Sequence, residues 1–206
     1  MKLTKLNQGV FKVNNYILFD EETKDAVLID AGGNFVETKA AIDELGANLK
    51  YLLNTHSHMD HIAGDEEIQR NYGIPIYMHK DDEVLLKAFK ESLRMFDMPD
   101  YELPKSVTFI NDGQVFQLGN KEIKTIHTPG HTKGGVSYLI DDMLFSGDTL
   151  FFESIGRTDL YGGNYNQLIS SVKDKLFVLP DNTKVYPGHG IESTIGHEKE
   201  NNAYVH

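Results

Sequence analysis

The sequence predicts an α/β protein in which two mixed β-sheets carry helices on their outer faces. The first observation is that short apolar or alternating runs, typical of strands, are interspersed with stretches whose apolar residues recur at helical spacing. The second is that the later half of the chain repeats the order of strands, helix and strand found in the first half. The third is that no linker-like stretch divides the 206 residues, which favours a single domain over residues 1–206.

The first half of the chain carries strand-like runs at residues 10–13, 15–19, 25–29, 51–54 and 75–78. Between the third and fourth runs, Val36, Ala40 and Leu45 recur at helical spacing, and Gly46 is expected to end that helix. Two further helices are predicted over residues 62–72 and 81–96. Strands that alternate with helices in this way are expected to form α/β layers.

The second half is richer in strands and keeps the same order. Its strand-like runs cover residues 107–110, 115–118, 122–127, 136–140, 143–146 and 183–186. Asp141 and Asp142 separate two of these runs and predict a hairpin turn. Leu168, Val172 and Leu176 mark one helix, and residues 195–202 are predicted to form a short second one.

Composition limits the classes of function. Lys and Arg total 20 against 31 Asp and Glu, and the resulting net charge of −11 repels nucleic acid. Residues 1–19 contain no long apolar run, so we expect neither a signal peptide nor a membrane span. The chain has no cysteine, which removes disulfides, thiolate nucleophiles and cysteine-ligated metals. Together these features predict a cytoplasmic protein.

Three of the nine histidines fall within one short loop. Directly after the run 51–54, the sequence places His56, His58, Asp60 and His61 within six positions. A loop at a rigid strand end can point alternate side chains at one place. His56 and His58 can face one way while Asp60 and His61 face another, an arrangement that would serve two neighbouring metal ions.

Three later strand-like runs also end at a histidine or an aspartate. His131 stands in Thr-Pro-Gly-His-Thr, Asp148 in Ser-Gly-Asp-Thr and His189 in Pro-Gly-His-Gly, where proline or glycine forces a turn. We interpret His79 as structural, because it lacks a neighbouring ligand motif, and His127 as a packing residue, with support of a metal ligand as the alternative. If the four strand ends share one edge of the sheets, the candidate ligands are His56, His58, Asp60, His61, His131, Asp148 and His189.

These four motifs, in this order, resemble those of the metallo-β-lactamase superfamily and, within it, the single-domain glyoxalase II-like (hydroxyacylglutathione hydrolase-like) hydrolases. The likeness covers nearly the whole chain. It implies a four-layer αββα sandwich of two mixed sheets, with a dinuclear metal site at one edge. It also implies that one metal would be held by His56, His58 and His131. The second would be held by Asp60, His61 and His189, and Asp148 would bridge the two.

The donor set predicts two divalent transition metals. Five imidazoles and two carboxylates without thiolate suit zinc, iron or manganese, and we expect zinc first. Such metals lower the pKa of bound water to about 7 and so supply a hydroxide at neutral pH. Asp60, beside that water in the family pattern, is the expected catalytic residue, because it could orient the bridging hydroxide. The loaded site would carry about +1 in a protein of −11, so we expect an anionic small-molecule substrate.

The expected reaction is hydrolysis of a small thioester, S-(2-hydroxyacyl)glutathione or a similar compound. Lactamases of this superfamily usually have cysteine or serine where Asp148 stands. A thiolate, with a pKa near 8.5, leaves without a proton and suits a site with no evident general acid. Glyoxalase II enzymes grip glutathione with a C-terminal helical domain; this chain ends at His206, so we expect no such grip and modest discrimination.

Two features beside the expected site have alternative interpretations. Residues 85–101 either form a cap over the metals, with Met98 and Tyr101 contacting the acyl group, or pack a helix against the core. Arg157 either holds a substrate carboxylate or pairs with Asp159. The sequence leaves the oligomeric state open.

Two other reactions on the same fold are alternatives. A persulfide dioxygenase would hold one iron with His56, His131 and Asp148, and the sequence at residues 156–159 also occurs in that family. A lactonase would use the full ligand set on an ester. The number of bound metals and the uptake of oxygen separate the dioxygenase from a hydrolase.

Overall fold

The computed structural model describes residues 1–33 and 35–205. Within these residues the chain forms two six-stranded mixed sheets, a two-stranded hairpin and helices against the outer face of each sheet. This four-layer αββα arrangement confirms the predicted fold class. None of the described helices is long and apolar enough to cross a membrane.

The first sheet comes from the first half of the chain, and its strands lie in sequence order. They are β1 (Lys2–Gln8), β2 (Val13–Phe19), β3 (Asp25–Ile29), β4 (Asn48–Leu53), β5 (Ile76–His79) and β6 (Thr108–Ile110). Strands β1 to β3 pair antiparallel, whereas β3 to β6 run parallel. The loops that follow β3, β4 and β5 therefore meet at one edge of the sheet.

The second sheet comes from the second half. Its strands are β7 (Val115–Leu118), β8 (Lys121–His127), β9 (Val136–Ile140), β10 (Met143–Gly147), β13 (Lys184–Pro187) and β14 (Ser193–Thr194). They lie in the order β14, β13, β10, β9, β8, β7, and only β10 and β13 pair in parallel. A separate hairpin of β11 (Leu150–Phe151) and β12 (Ser154–Ile155) follows β10.

Helices fill the connections between the strands. They are α1 (Phe35–Leu45), α2 (Met59–Ile62), α3 (Asp65–Tyr72), α4 (Glu83–Lys87), α5 (Phe89–Met95), α6 (Tyr165–Ser170) and α7 (Ile195–Asn201). A 3₁₀ turn (Lys80–Asp82) precedes α4, and a π-helical segment (Ser171–Leu176) continues α6.

Alternation along the strands divides the apolar residues between an inner and an outer face. Tyr16 belongs to the core between the two sheets. On the outer face of the first sheet, Leu28 belongs to the same buried cluster as Ile42 of α1. On the outer face of the second sheet, Leu144 clusters with Val172 of the π-helical segment. Burial of three apolar layers thus fixes the four-layer order.

The short elements α2, β11, β12 and β14 were not predicted, the predicted helix 62–72 begins only at Asp65, and two further predicted elements differ more strongly from the structure. The run 10–13 is mainly a turn, with Gly9 and Lys12 in the left-handed region at φ 73° and 54°, and the first strand is instead β1. That strand gave no clear alternation because it lies at the sheet edge and most of its side chains are half-exposed. The predicted helix 81–96 is interrupted at Ala88, between α4 and α5.

Candidate metal centre

A buried carboxylate at the end of β3 fixes the loop that follows β4. Asp30 accepts hydrogen bonds from the backbone N–H of Thr55 at 2.7 Å and from the Thr55 hydroxyl at 2.8 Å. Its Oδ2 also lies 2.8 Å from Nδ1 of His61. Asp30 therefore anchors both ends of the histidine-rich loop. The sequence did not indicate this role, because an aspartate before Ala-Gly-Gly is typical of a turn.

The first three candidate ligands converge on one point. His58 Nδ1 lies 3.1 Å from His56 Nε2 and 2.9 Å from His131 Nε2. His56 and His58 come from the loop after β4, whereas His131 follows β8 of the other sheet. This group, the first set (His56, His58 and His131), therefore joins the two halves of the chain.

Three more candidates form a neighbouring group, the second set (Asp60, His61 and His189). Their ligand atoms lie within 4.8 Å of one another. His189, which follows β13, places Nε2 at 3.5 Å from Asp60 Oδ2 and 3.3 Å from His61 Nε2. The His61 side chain is fully buried, whereas that of His189 is 27% exposed.

Asp148 lies between the two sets. Its Oδ2 is 3.5 Å from His131 Nε2 and 3.6 Å from His189 Nε2, and its Oδ1 is 3.4 Å from His61 Nε2. Oδ1 is buried and has no hydrogen-bond partner among the described residues. Gly188, the first glycine of Pro-Gly-His-Gly, leaves space for this oxygen, because a Cβ at that position would lie 2.3 Å from it.

Hydrogen bonds fix three of the imidazole rings so that Nε2 faces the cluster. Nδ1 of His131 donates to the carbonyl oxygen of Arg157 at 2.7 Å, and Nδ1 of His189 donates to that of Phe11 at 3.0 Å. Nδ1 of His61 faces Asp30 in the same way. A neutral ring protonated on Nδ1 has its lone pair on Nε2, which is the form that binds a metal.

Burial and the neighbouring charges divide the protonation states. Burial lowers the pKa of His56 well below its ordinary value and that of His58 to about 3, so both rings are neutral at pH 7. Burial opposes ionisation of Asp148, but the histidines around it, with His61 foremost, hold its pKa well below the usual range. Burial also opposes protonation of His61, yet Asp148 and the other carboxylates raise its pKa. The attraction between these carboxylates and His61 therefore favours a positive charge at the second set.

These residues fit a pair of divalent cations. Ligands bound to one tetrahedral ion at about 2.05 Å lie roughly 3.3 Å apart. The nitrogens of the first set come close to that spacing, and facing lone pairs repel unless a proton or a cation lies between them. The unpartnered Oδ1 of Asp148 offers an acceptor to a cation at the centre of the cluster. The candidate metal centre thus brings together all seven residues singled out from the sequence.

A second buried carboxylate clamps the two loops of the first set. Asp82 accepts hydrogen bonds from the N–H of Ser57 at 3.0 Å, the hydroxyl of Thr132 at 2.9 Å and the N–H of Gly134 at 2.6 Å. A Cβ on Gly134 would lie 2.7 Å from the Asp82 carboxyl carbon, which explains the glycine. The sequence did not reveal Asp82, because it ends the run Lys-Asp-Asp that resembles a solvated helix start.

A cavity of about 940 Å³ opens above the metal centre. One wall comes from the N-terminal loop, α4 and α5: Phe11, Val84, Leu85, Ala88, Met95 and Phe96. The opposite wall comes from the hairpin β11–β12 and the segment after it: Phe151, Ile155, Leu160 and Tyr161. The rings of Phe11 and Phe96 meet edge to face, with 6.0 Å between centroids, and join the N-terminal loop to the end of α5.

The segment 85–101 therefore combines both predicted roles, but not through the expected residues. Leu85, Met95 and Phe96 line the cavity. Met98 and Tyr101, the expected contacts to the acyl group, instead pack in a buried cluster with Phe89 and do not line the cavity. Helical spacing explains the difference, since residues of one segment divide between a core face and a cavity face.

Arg157 pairs with its sequence neighbour Asp159, in agreement with the structural alternative. Two hydrogen bonds join the guanidinium to the carboxylate, at 2.7 and 2.9 Å. Both side chains are exposed at the rim of the cavity. The positive charge of Arg157 is therefore already matched by a carboxylate.

His79, Asp81 and His127 form a further group of three side chains whose ligand atoms lie within 4.8 Å. The two rings, however, stack with 4.1 Å between centroids and an angle of 11° between their planes. Lone pairs in parallel planes cannot point at one ion, so this group lacks the convergence of the metal centre. Packing of the rings agrees with the structural role expected for both histidines.

This chain belongs to the metallo-β-lactamase superfamily, because the model of that family matches residues 9–189. Among its relatives, hydroxyacylglutathione hydrolase GloC of Haemophilus influenzae is 35% identical, over 95% of this chain and 93% of the relative. The family expected from the four motifs is thereby confirmed.

Solved structures agree with the family assignment. BLEG-1, a B3 metallo-β-lactamase, is 32% identical with a TM-score of 0.91, and the match covers 99% of each chain. TTHA1623 in a di-iron-bound form is 30% identical with a TM-score of 0.88, over 98% of this chain and 99% of the other. ETHE1 from Myxococcus xanthus is 29% identical with a TM-score of 0.83, over 98% and 84% of the two chains.

Proposed function

We propose that this chain is a binuclear metal-dependent hydrolase that cleaves a small thioester, with S-(2-hydroxyacyl)glutathione as the first candidate substrate. The observation that carries the proposal is that Asp148 lies between two sets of ligand atoms on the floor of one cavity. The similarity to GloC supports the substrate class. Zinc is the first candidate metal, and the likeness to TTHA1623 in its di-iron form supports iron as the alternative.

In this proposal the first set would hold one ion and the second set the other, and Asp148, which lies near residues of both sets, would serve both. When bound, the two ions would supply a water of lowered pKa and stabilise the negative charge that develops on the carbonyl oxygen. Asp60 faces the cavity, where its carboxylate could accept a hydrogen bond from such a water and orient it. Asp30 and Asp82 hold the ligand loops in place, so the donors are positioned before substrate binds.

The chain supplies no proton to the leaving group in this reaction. The thiolate has a pKa near 8.5 and leaves as an anion, which then takes its proton from solvent. Thioesters therefore suit this cavity better than amides, whose leaving nitrogen must be protonated.

The proposal is tested by metal analysis and turnover on the same purified sample. We expect two transition-metal ions per chain and hydrolysis of S-lactoylglutathione without uptake of oxygen. A β-lactam belongs in the panel because BLEG-1 is a B3 metallo-β-lactamase. A metal-replete protein that opens the lactam but leaves every thioester intact would refute the proposal.

A one-iron persulfide dioxygenase is the second candidate function. Three residues assigned to it, His56, His131 and Asp148, do lie together, and His131 Nε2 is 3.5 Å from Asp148 Oδ2. The second set, however, would have no role in that reaction, although its atoms converge equally well. One iron per chain together with oxygen uptake on a persulfide would favour this candidate over the hydrolase.

A further inference from the structure

The size of the cavity is out of proportion to a small acyl group. At about 940 Å³ it lies near the upper end of the range of small-molecule sites, roughly 300 to 1,000 Å³. The reacting carbonyl needs only the floor, where the two sets and Asp148 lie. The space between the walls is therefore available to the remainder of the substrate.

The walls are mainly apolar, and several of their side chains are exposed to solvent. On one wall, Val84 is 50% and Met95 73% exposed, and on the other Tyr161 is 63% exposed. Contiguous exposed apolar side chains beside a reactive centre usually mark a surface that a ligand covers. Met95 also has an unbranched, adaptable side chain that can fit ligands of varied shape.

The charges at the cavity do not match glutathione. Among the described lining residues, Arg157 is the one lysine or arginine, and Asp159 already pairs with it. Glu91 lies on the lining as well and adds a further negative charge. The two carboxylates of a glutathionyl group would therefore find no unpaired lysine or arginine among the described lining residues, and the ammonium of Lys133, beside that lining, stands over the Tyr161 ring at 5.8 Å.

We infer that the preferred substrate carries a medium-chain apolar acyl group, which lies between the α4–α5 wall and the wall formed by the hairpin β11–β12 and the segment after it. The thiol carrier is then not recognised through its carboxylates. This inference rests on the proposed thioester hydrolysis, and within it a medium-chain acyl thioester takes the place of S-(2-hydroxyacyl)glutathione as the preferred substrate. The thioester carbonyl lies on the cavity floor beside the two sets and Asp148. The acyl chain covers Val84 and Met95, and the thiol extends towards solvent. Selectivity among thioesters then follows from burial of the acyl chain.

Acyl-chain length is the first experimental variable. Acetyl, hexanoyl and octanoyl thioesters of N-acetylcysteamine are compared by kcat/KM with the metal-loaded protein. Burial of a methylene contributes about fourfold, so burial of half of the six methylenes added in octanoyl predicts an increase of about 60-fold over acetyl. The octanoyl thioester of glutathione is expected to match that of N-acetylcysteamine within about threefold, because no free cation grips the glutathione carboxylates.

Variants of the wall provide the second variable. Met95→Ser is expected to lower the octanoyl-to-acetyl ratio of kcat/KM by about tenfold, because it removes apolar surface that the chain covers. Val178→Ser is the matched control: Val178 is 71% exposed, like Met95, but does not line the cavity. Its ratio is expected to equal that of the unaltered protein.

A binding measurement separates this inference from the proposed function. S-octyl-N-acetylcysteamine, a thioether without the thioester carbonyl, is titrated calorimetrically into the unaltered protein and into Met95→Ser. Binding that weakens about tenfold in the variant supports the apolar site, even if no thioester is hydrolysed and the proposed function fails. Hydrolysis that is equally fast for acetyl and octanoyl, or more than tenfold faster for the glutathione carrier, would overturn the inference while leaving thioester hydrolysis intact.

Discussion

The two ligand sets are built differently although they share Asp148. The first set consists of imidazoles from loops of both sheets, and Asp82 ties those loops together. The second set includes a carboxylate, and one of its members, His189, is held through the carbonyl oxygen of Phe11 in an exposed turn. A set held by buried hydrogen bonds is expected to lose less entropy when it binds an ion than one held in part by an exposed hydrogen bond. We therefore expect the first set to bind its ion more tightly than the second.

Removal of the shared carboxylate is expected to have the largest effect. Asp148→Ala removes a ligand from both sets and leaves His61 without its principal counter-charge. We expect both ions to be lost and thioester hydrolysis to fall by more than the roughly 100-fold that outer-shell changes cause. Metal content after gel filtration measures this directly. A variant that keeps one ion at full occupancy would show that Asp148 belongs to a single set.

Replacing one histidine from each set tests the difference between them. His131→Ala is expected to abolish binding at the first set, whereas His189→Ala should leave one tightly bound ion and lower the affinity for the second. Titration with a chelator of known affinity distinguishes the two outcomes, because the affinity for each ion is measured separately. Equal losses of both ions in both variants would mean that the sets form one indivisible site.

The clamp on the first set is expected to have an intermediate effect. Asp82→Asn replaces an acceptor oxygen with an amide nitrogen, so one of the three donors from Ser57, Thr132 and Gly134 loses its partner. We expect about 10- to 100-fold weaker binding of the tighter ion, a magnitude typical of groups that orient ligands. Asp81→Asn, at the exposed neighbouring position, is the control and should change the affinity for neither ion.

The sequence singled out the seven side chains that the structure brings together, but neither carboxylate that positions them. His56, Asp148 and His189 could be found because each stands in a local motif at a strand end, and parallel strands bring such ends together. Asp30 and Asp82 make their contacts across long sequence separations, to Thr55 and to Gly134. Local sequence patterns do not predict such contacts.

The elements followed the same division. The helix that ends at Gly46 and the hairpin at Asp141 were predicted correctly, because both depend on local chemistry. The edge strand β1 and the break at Ala88 depend on how the chain packs against other elements, and the sequence alone did not show them. The division of segment 85–101 between core and cavity has the same origin.

A buried carboxylate behind the second set provides the smallest and most specific test. Asp65 is fully buried, whereas the Asp148 side chain is 11% exposed, and Asp65 has Asn54 as its hydrogen-bond partner instead of surrounding histidines. Burial therefore raises its pKa well above the ordinary value, the opposite of the shift at Asp148. Its Oδ1 and the Oδ1 of Asn54 both lack a hydrogen-bond partner within the described part of the chain.

Above the ordinary pKa of about 3.9, the folded protein holds this proton more strongly than the unfolded chain, so Asp65 costs increasing stability as the pH rises towards its folded pKa. Asp65→Asn removes the titration, and its amide can donate where the carboxylate could not. We expect Tm to rise by about 2–4 °C at pH 7 for each kcal/mol regained, and to change little at pH 4. Thermal unfolding of both proteins at the two pH values measures the difference. An equal change in Tm at pH 4 and pH 7 would show that Asp65 does not titrate between these two pH values. It would then be wrong that burial without a cationic partner shifts the pKa of Asp65 in the opposite direction to that of Asp148.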